Sequence, residues 1–186
     1  MSKWLCCAFL LVLACSRAPQ AERCSEDDAG RPIDTTLLAF LSRARAAHHA
    51  ADQAEATGSL AQAAGLLDAV VAGPLPPGSA ANAPEVREVL ADTLARTADL
   101  KSRAGQFEGA LSDVQRGLQH VPVPNYFQGH LYEVRGLVEE RQSAALQQAG
   151  DAAAASAARA RSLSALETAM KIQSEVIRGA AVDAGR

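Results

Sequence analysis

The sequence predicts an all-α fold made of three helical hairpins, six helices in all. Alanine is the commonest residue, aromatic residues make up 4% of the chain, and runs of β-branched residues are absent. Alanine is the best helix former, whereas sheets favour β-branched and aromatic side chains. Apolar residues also recur at steps of three and four, the spacing of one helix face, between glycine and proline breaks.

The first predicted hairpin begins at Pro32, a residue that suits the first turn of a helix. Apolar residues from 33 to 54 form one stripe, and Gly58 ends that helix. Ser59 is expected to cap a second helix, whose inward residues fall between 60 and 71.

The second predicted hairpin follows a proline-rich stretch, which excludes helix and strand and predicts a loop over 73–84. A third helix carries the apolar stripe 86–100 and ends near Gly105. A fourth helix carries the stripe 107–121, and Pro122 stops it.

The third predicted hairpin opens at Asn125, which is expected to cap a fifth helix with the stripe 127–138. Gly150 separates this helix from a long sixth helix that runs through the apolar residues of 163–177. The alanine-rich stretch 149–161 has small side chains with little apolar area. We expect it either to lie close against a neighbouring helix or to stand partly exposed.

The three pairs of helices contain a repeated pattern. The second pair carries it most fully, in Leu94, Ala98, Gly105, Phe107, Ala110, Val114, Gly117 and Pro122. The first pair carries part of it in Ala51, Gly58, Leu60, Ala63 and Leu67, and the third pair in Ser143, Gly150, Ala155 and Ser162. The pattern resembles the tetratricopeptide repeat.

The resemblance implies that the small residues at 98, 110 and 117 let paired helices approach closely. Where that family places an aromatic residue facing its groove, this chain has Ala54, Lys101 and Leu146. No peptide-binding residue is therefore carried over from the family. A generic array of helical hairpins stays the alternative.

Residues 1–14 have the features of a signal peptide: a positive charge at Lys3, a short apolar run and a small residue at the end. The run is about half of the ~20 residues that a membrane-spanning helix needs. The ending Val12-Leu13-Ala14-Cys15 resembles the lipobox of bacterial lipoproteins, which implies cleavage after Ala14 and acylation of Cys15. An ordinary secretory signal is the alternative.

Three segments follow from this interpretation: a signal peptide at 1–14, a lipidated flexible tether at 15–31 and a helical domain at 32–186. The tether is polar and cannot bury enough apolar surface to fold. It contains Cys24, which we interpret as an incidental thiol; the alternatives are a bond to another molecule and, if Cys15 is not acylated, a Cys15–Cys24 disulfide. Ser16 after the lipid-bearing cysteine resembles lipoproteins that are sorted to the outer membrane, facing the periplasm.

The sequence gives no support for catalysis, a cofactor or a metal. The net charge of −3 lacks the positive excess that binds nucleic acid. His48 and His49 point about 100° apart on a helix, and Asp52 alone does not complete a zinc site. Carboxylate pairs such as Glu139-Glu140 are expected on solvated helix faces. We therefore expect a protein that is not an enzyme.

The candidate binding residues are Tyr126, His130 and Tyr132 at the start of the fifth helix, where much of the small aromatic content gathers. Phe127 is expected in the core, with Tyr126 and His130 forming an exposed ridge for a protein partner. Alternatively, Tyr126, His130 and Tyr132 line a pocket for a small ligand together with His120. Core filling is the third interpretation of this cluster.

The leading functional hypothesis is a lipoprotein that is anchored through Cys15 and acts as an adaptor or assembly factor, similar to a pilotin, in the bacterial cell envelope. The partner is then an envelope protein. The alternatives are a periplasmic ligand-binding or sensor domain, and an immunity or inhibitor lipoprotein.

Overall fold

Three helical hairpins make up residues 34–184, the part of the chain that the computed structural model describes. The helices are α1 (Thr35–Ala56), α2 (Leu60–Ala72), α3 (Pro84–Arg103), α4 (Phe107–His120), α5 (Tyr126–Gln148) and α6 (Ala152–Ala184). No strand occurs within 34–184, and no helix there combines the length and apolarity needed to cross a bilayer. The predicted all-α fold is confirmed, whereas the signal peptide and the tether, with Cys15 and Cys24, lie outside the described residues.

The same turn joins the two helices of each hairpin. Gly58, Gly105 and Gly150 have φ values of 78°, 77° and 82°, which side chains rarely tolerate. In the first turn the Ser59 N–H donates to the Ala54 carbonyl at 2.9 Å, and the equivalent bond closes the other two turns. Each turn is thus a Schellman motif that ends one helix at a glycine.

The start of α1 and the first connection between hairpins differ from the prediction. Helix α1 begins at Thr35 rather than at Pro32, because the Asp34 carboxylate accepts hydrogen bonds from the Thr36 and Leu37 N–H groups and caps the helix there. The predicted loop 73–84 contains a short 3₁₀ helix, Gly78–Asn82. At the next connection the prediction holds, since the Asn125 side chain caps α5.

Helix α3 occupies the middle of the array and contacts α1, α2, α4 and α5. Ala98 and Ala110 are fully buried in the core that α3, α4 and α5 share, as the close approach of α3 and α4 requires. Gly117 has another role than expected. A Cβ there would lie 2.6 Å from Leu131 Cδ2, so this glycine makes room for α5.

Helix α6 packs on α5 through small residues. Its buried side consists of Ala155, Ala158, Ser162, Ala165, Ala169 and Ile172. On α5, a Cβ at Gly136 would lie 2.6 Å from Leu166 Cγ. The alanine-rich stretch therefore lies close against its neighbour. The larger Leu163, Met170 and Ile177 point away from α5 and remain exposed in the described part of the chain.

Candidate functional site

The first helices of the three hairpins, α1, α3 and α5, contact one another in series. Their common exposed side, here called the first-helix face, runs across the whole array. Arg96 of α3 reaches back to α1, where it pairs with Asp52 and, at 3.2 Å, with Glu55. Arg103 of α3 also pairs with Glu55. These pairs join the first hairpin to the second.

A second group of contacts joins α5 to α3 on the same face. Arg141 Nη1 lies 2.8 Å from Asp99 Oδ1 and donates to Ser102 Oγ at 2.6 Å. Asp99 also lies 3.7 Å from Arg103, whose other partner belongs to α1. The ion pairs thus form a continuous ladder over three helices, with three carboxylates and three arginines.

The ladder repeats with the hairpins. An arginine stands nine residues before the turn glycine in the second and third hairpins, as Arg96 and Arg141. An aspartate stands six residues before the turn glycine in the first and second hairpins, as Asp52 and Asp99. Each arginine pairs with the aspartate of the preceding hairpin. This repeated spacing of charged residues is visible in the sequence, but the apolar pattern does not contain it.

The pKa values of two carboxylates of the ladder, Asp52 and Glu55, are lowered, which favours their charged form. Hydrogen bonds from Arg96 lower the pKa of Asp52, and hydrogen bonds from Arg103 and then Arg96 lower the pKa of Glu55. Charge-assisted bonds of this kind favour the ionised acid. The three arginines of the ladder therefore balance the charge of its three carboxylates, and the ion pairs fix the relative positions of α1, α3 and α5.

Tyr126 and His130 lie at the opposite end of the first-helix face from the turns. Arg141 follows His130 by eleven residues, about three helical turns, so both lie on one line along α5. The rings of Tyr126 and His130 stack at 6.2 Å with an interplanar angle of 12°, and Tyr126 is 61% exposed. Phe127 meets the Tyr126 ring edge-on at 5.4 Å and packs against the core. Tyr126 and His130 thus lie side by side as expected, but His130 is half-buried rather than exposed, and Phe127 is half-buried at the edge of the core.

Tyr132 does not join this pair. It follows Tyr126 by six residues, which places it about 120° around the helix at about 100° per residue. Its side chain is half-buried on that other side. The structure therefore brings together two of the three candidate residues and separates the third.

A small cavity lies beside the connection between α4 and α5. It measures about 170 Å³ and is lined by Pro84, Arg87, Glu88, His120, Val121, Pro122, Val123 and Asn125. As formed by the described residues, its lining includes none of Tyr126, His130 and Tyr132. This cavity therefore does not bring Tyr126, His130 and Tyr132 together with His120, and it is smaller than the ~300 Å³ of the smallest ordinary ligand sites.

The remaining titratable candidates have structural partners. His48 Nε2 lies 2.9 Å from Thr93 Oγ1, and His49 Nε2 lies 3.1 Å from the Gln53 amide. Within the described part of the chain, no group of three or more potential metal ligands comes together. Glu139 is 2% exposed and binds Arg161 of α6 through both carboxylate oxygens. Its expected place on a solvated face is therefore wrong.

Comparison of the chain with protein-family models, with curated proteins and with solved structures finds no match.

Proposed function

We propose that this protein is a lipid-anchored adaptor of the bacterial cell envelope that holds a partner protein on its first-helix face. The observation that carries the proposal is the continuity of that face across three hairpins, with the ion-pair ladder aligning its helices. Arrays of helical hairpins commonly use such extended surfaces to bind other proteins.

The contact residues that we propose are Tyr126 and His130. A tyrosine at an interface offers a large apolar ring together with a hydroxyl that hydrogen-bonds. The stacking with His130 and the edge contact with Phe127 restrict the Tyr126 ring before any partner arrives. Less side-chain entropy is then lost on binding, which favours affinity. Tyr132 faces another side of α5 and is the weaker candidate.

The anchor is Cys15, on the strength of the lipobox resemblance. Cleavage after Ala14 would leave this cysteine at the new N-terminus, and several acyl chains there would hold the protein on the membrane. The tether at 15–31 would let the helical domain reach a partner away from the bilayer. Adaptors of this kind include assembly factors similar to pilotins.

Two other functions use different parts of the molecule. A periplasmic ligand-binding domain needs an enclosed pocket, and the cavity at His120 is small for that purpose. An immunity or inhibitor lipoprotein would use the same exposed face as an adaptor, so only the identity of the bound protein separates the two. The length of the face, which spans every hairpin, favours a protein-binding function over the ligand-binding domain.

The anchor is tested by growing cells with a fatty-acid analogue and following the label on the full chain. Cys15→Ala should lose the label and leave the membrane fraction. Cys24→Ala, nine residues further along the same predicted tether, should keep both. A label that survives Cys15→Ala rules out the lipid anchor.

The binding face is tested by purifying the full chain from detergent-solubilised envelope and identifying what accompanies it. The double variant Tyr126→Ala/His130→Ala should recover the specific partner at least about tenfold less, the loss expected for ~1.4 kcal/mol of binding energy. Tyr132→Ala is the matched control on another side of α5 and should keep the partner. Equal loss from both variants, or no loss from either, would reject the proposed face.

A further inference from the structure

The outer side of α6 carries three large apolar residues at intervals of seven. Leu163 is 54% exposed, Met170 is 60% exposed and Ile177 is 69% exposed. Seven residues make nearly two helical turns, so the three side chains form one stripe about 21 Å long. We call it the α6 stripe.

The α6 stripe differs from what the end of a helical array requires. The last helix of such an array usually turns a polar side to water, because no further repeat covers it. Here α6 packs on α5 mainly through small residues such as Ala165 and Ala169, together with Leu166 and Ile172, and it leaves Leu163, Met170 and Ile177 exposed. Exposed apolar side chains in a row indicate a contact with another molecule.

We propose that the α6 stripe is the interface of an antiparallel homodimer, with its two-fold axis at Met170. Leu163 and Ile177 are each seven residues from Met170. In an antiparallel pair Met170 therefore meets Met170, and Leu163 of each copy meets Ile177 of the other. The stripe is complementary to itself, as an interface between identical chains must be.

Charges beside the α6 stripe favour this orientation. Glu167 and Lys171 are both exposed and lie on the same side of the stripe, about 60° and 100° from Met170 around the helix. When two such helices run antiparallel about a two-fold axis, the same flank of each copy lies on the same side of the interface. Glu167 of each copy therefore lies close to Lys171 of the other copy. A parallel pair would bring Glu167 against Leu166 and Gln173 instead.

The area of the α6 stripe determines the affinity that we expect for the dimer. Stable interfaces bury about 800 Å² on each partner, and three side chains with their flanks provide less than that. We therefore expect a dimer of micromolar affinity, which a membrane surface would enrich by confining both copies. The first-helix face takes no part in this contact, so dimerisation and partner binding are independent.

Disulfide crosslinking tests the dimer with the full chain in a Cys24→Ser background. It is done in intact envelopes, which rests on the proposed location, and also with the purified chain and an added oxidant, which does not. Met170→Cys should form a crosslinked dimer. Leu163→Cys should crosslink with a co-expressed, differently tagged Ile177→Cys chain, and Leu163→Cys alone should stay monomeric. Ser164→Cys is the control, because it lies about 120° from Met170 on the same helix.

The outcomes decide between the alternatives. Crosslinking of Leu163→Cys to itself would show a parallel pair and overturn the arrangement. Crosslinking of Met170→Cys to a different protein would mean that the stripe binds a foreign partner, which also overturns the dimer. The absence of dimer from Met170→Cys, or an equal yield from Ser164→Cys, would overturn the interface. Finally, Met170→Lys should abolish the crosslink between Leu163→Cys and Ile177→Cys chains while Met170→Leu keeps it.

Discussion

Lys101 Nζ lies 2.6 Å from Asp113 Oδ2, and the Asp113 side chain is only 4% exposed. The same ammonium lies 3.1 Å from Asp68 Oδ2, so one lysine of α3 holds carboxylates of α2 and α4 together. Burial lowers the pKa of Lys101, but the hydrogen bonds to Asp113 and Asp68 outweigh it and raise that pKa overall. Lys101 thus stays charged and links two hairpins.

Lys101→Met should destabilise the protein by about 3 kcal/mol, because it leaves a buried carboxylate without its nearest cation. Arg116 also pairs with Asp113, at 3.0 Å, and keeps the loss from being larger. Chemical denaturation followed by circular dichroism measures the free energy of unfolding. The double variant Lys101→Met/Asp113→Leu should recover part of the loss, since it removes both charges.

The matched control for this pair is Arg116→Gln. The Arg116 side chain is 48% exposed, and an exposed ion pair contributes less than about 1 kcal/mol. A loss from Arg116→Gln as large as that from Lys101→Met would show that Arg116, rather than Lys101, neutralises Asp113.

The close approach of α5 and α6 gives a second prediction. Gly136→Ala should cost about 1–3 kcal/mol, because the added methyl would lie 2.6 Å from Leu166 Cγ and 3.3 Å from the Ser162 carbonyl oxygen. Gly65→Ala on α2 is the control, since nothing lies within 4 Å of the added methyl there. It should stabilise the protein by about 0.5–1 kcal/mol through the better helix propensity of alanine. Thermal unfolding of both variants would refute the prediction if they shifted the same way.

The hairpins could be predicted because their signals are local. A glycine with positive φ ends each first helix, and its effect depends on the backbone alone. Which side of α6 is buried could not be predicted in this way. Its larger residues suggest the buried side, yet Leu163, Met170 and Ile177 are exposed, whereas Leu166 fills the space left by Gly136 of α5. The buried side is decided by the shape of the neighbour, which the sequence of α6 does not contain.

The candidate site, like the fold, could be predicted only where it depends on spacing within one helix. The ridge of Tyr126 and His130 depends on a spacing of four within one helix, and the structure contains it. The pairs of Arg96 with Asp52 and of Arg141 with Asp99 join residues 44 and 42 positions apart. Their geometry depends on how hairpins stack, so spacing suggests them only once the stacking order is known.

A third prediction concerns the core between α3 and α4. Ala110 is fully buried and packs with Ala91, Ala95 and Ala98. Ala110→Leu should overpack this contact and cost about 1–3 kcal/mol. Ala61→Leu places the same side chain on the exposed side of α2 and should change stability by less than about 0.5 kcal/mol. A neutral Ala110→Leu in urea denaturation would mean that the helices separate to accept the leucine.

The last prediction concerns two half-buried histidines, His48 and His120. Burial, opposed by Asp92, lowers the pKa of His48, and Arg96 lowers it further. Burial, then Arg116 and Arg87, lower the pKa of His120. The unfolded chain, with histidine pKa values near 6.5, therefore takes up protons first as the pH falls.

Stability should therefore decrease in mildly acidic solution. The free energy of unfolding should be constant above about pH 7 and should fall as the pH drops below about 6.5, because only the unfolded chain gains those protons. Asp52 and Glu55 have pKa values below their ordinary 3.8 and 4.5, so the stability that these carboxylates contribute is lost only at lower pH. Between about pH 6.5 and pH 5 the histidines dominate the pH dependence of stability.

Urea denaturation at several pH values should show the fall in the natural chain and a flatter profile in His48→Gln/His120→Gln. The amide introduced at position 48 retains a hydrogen-bonding group for Thr93 Oγ1. A slope in the double variant as steep as in the natural chain would assign the acid sensitivity to other groups.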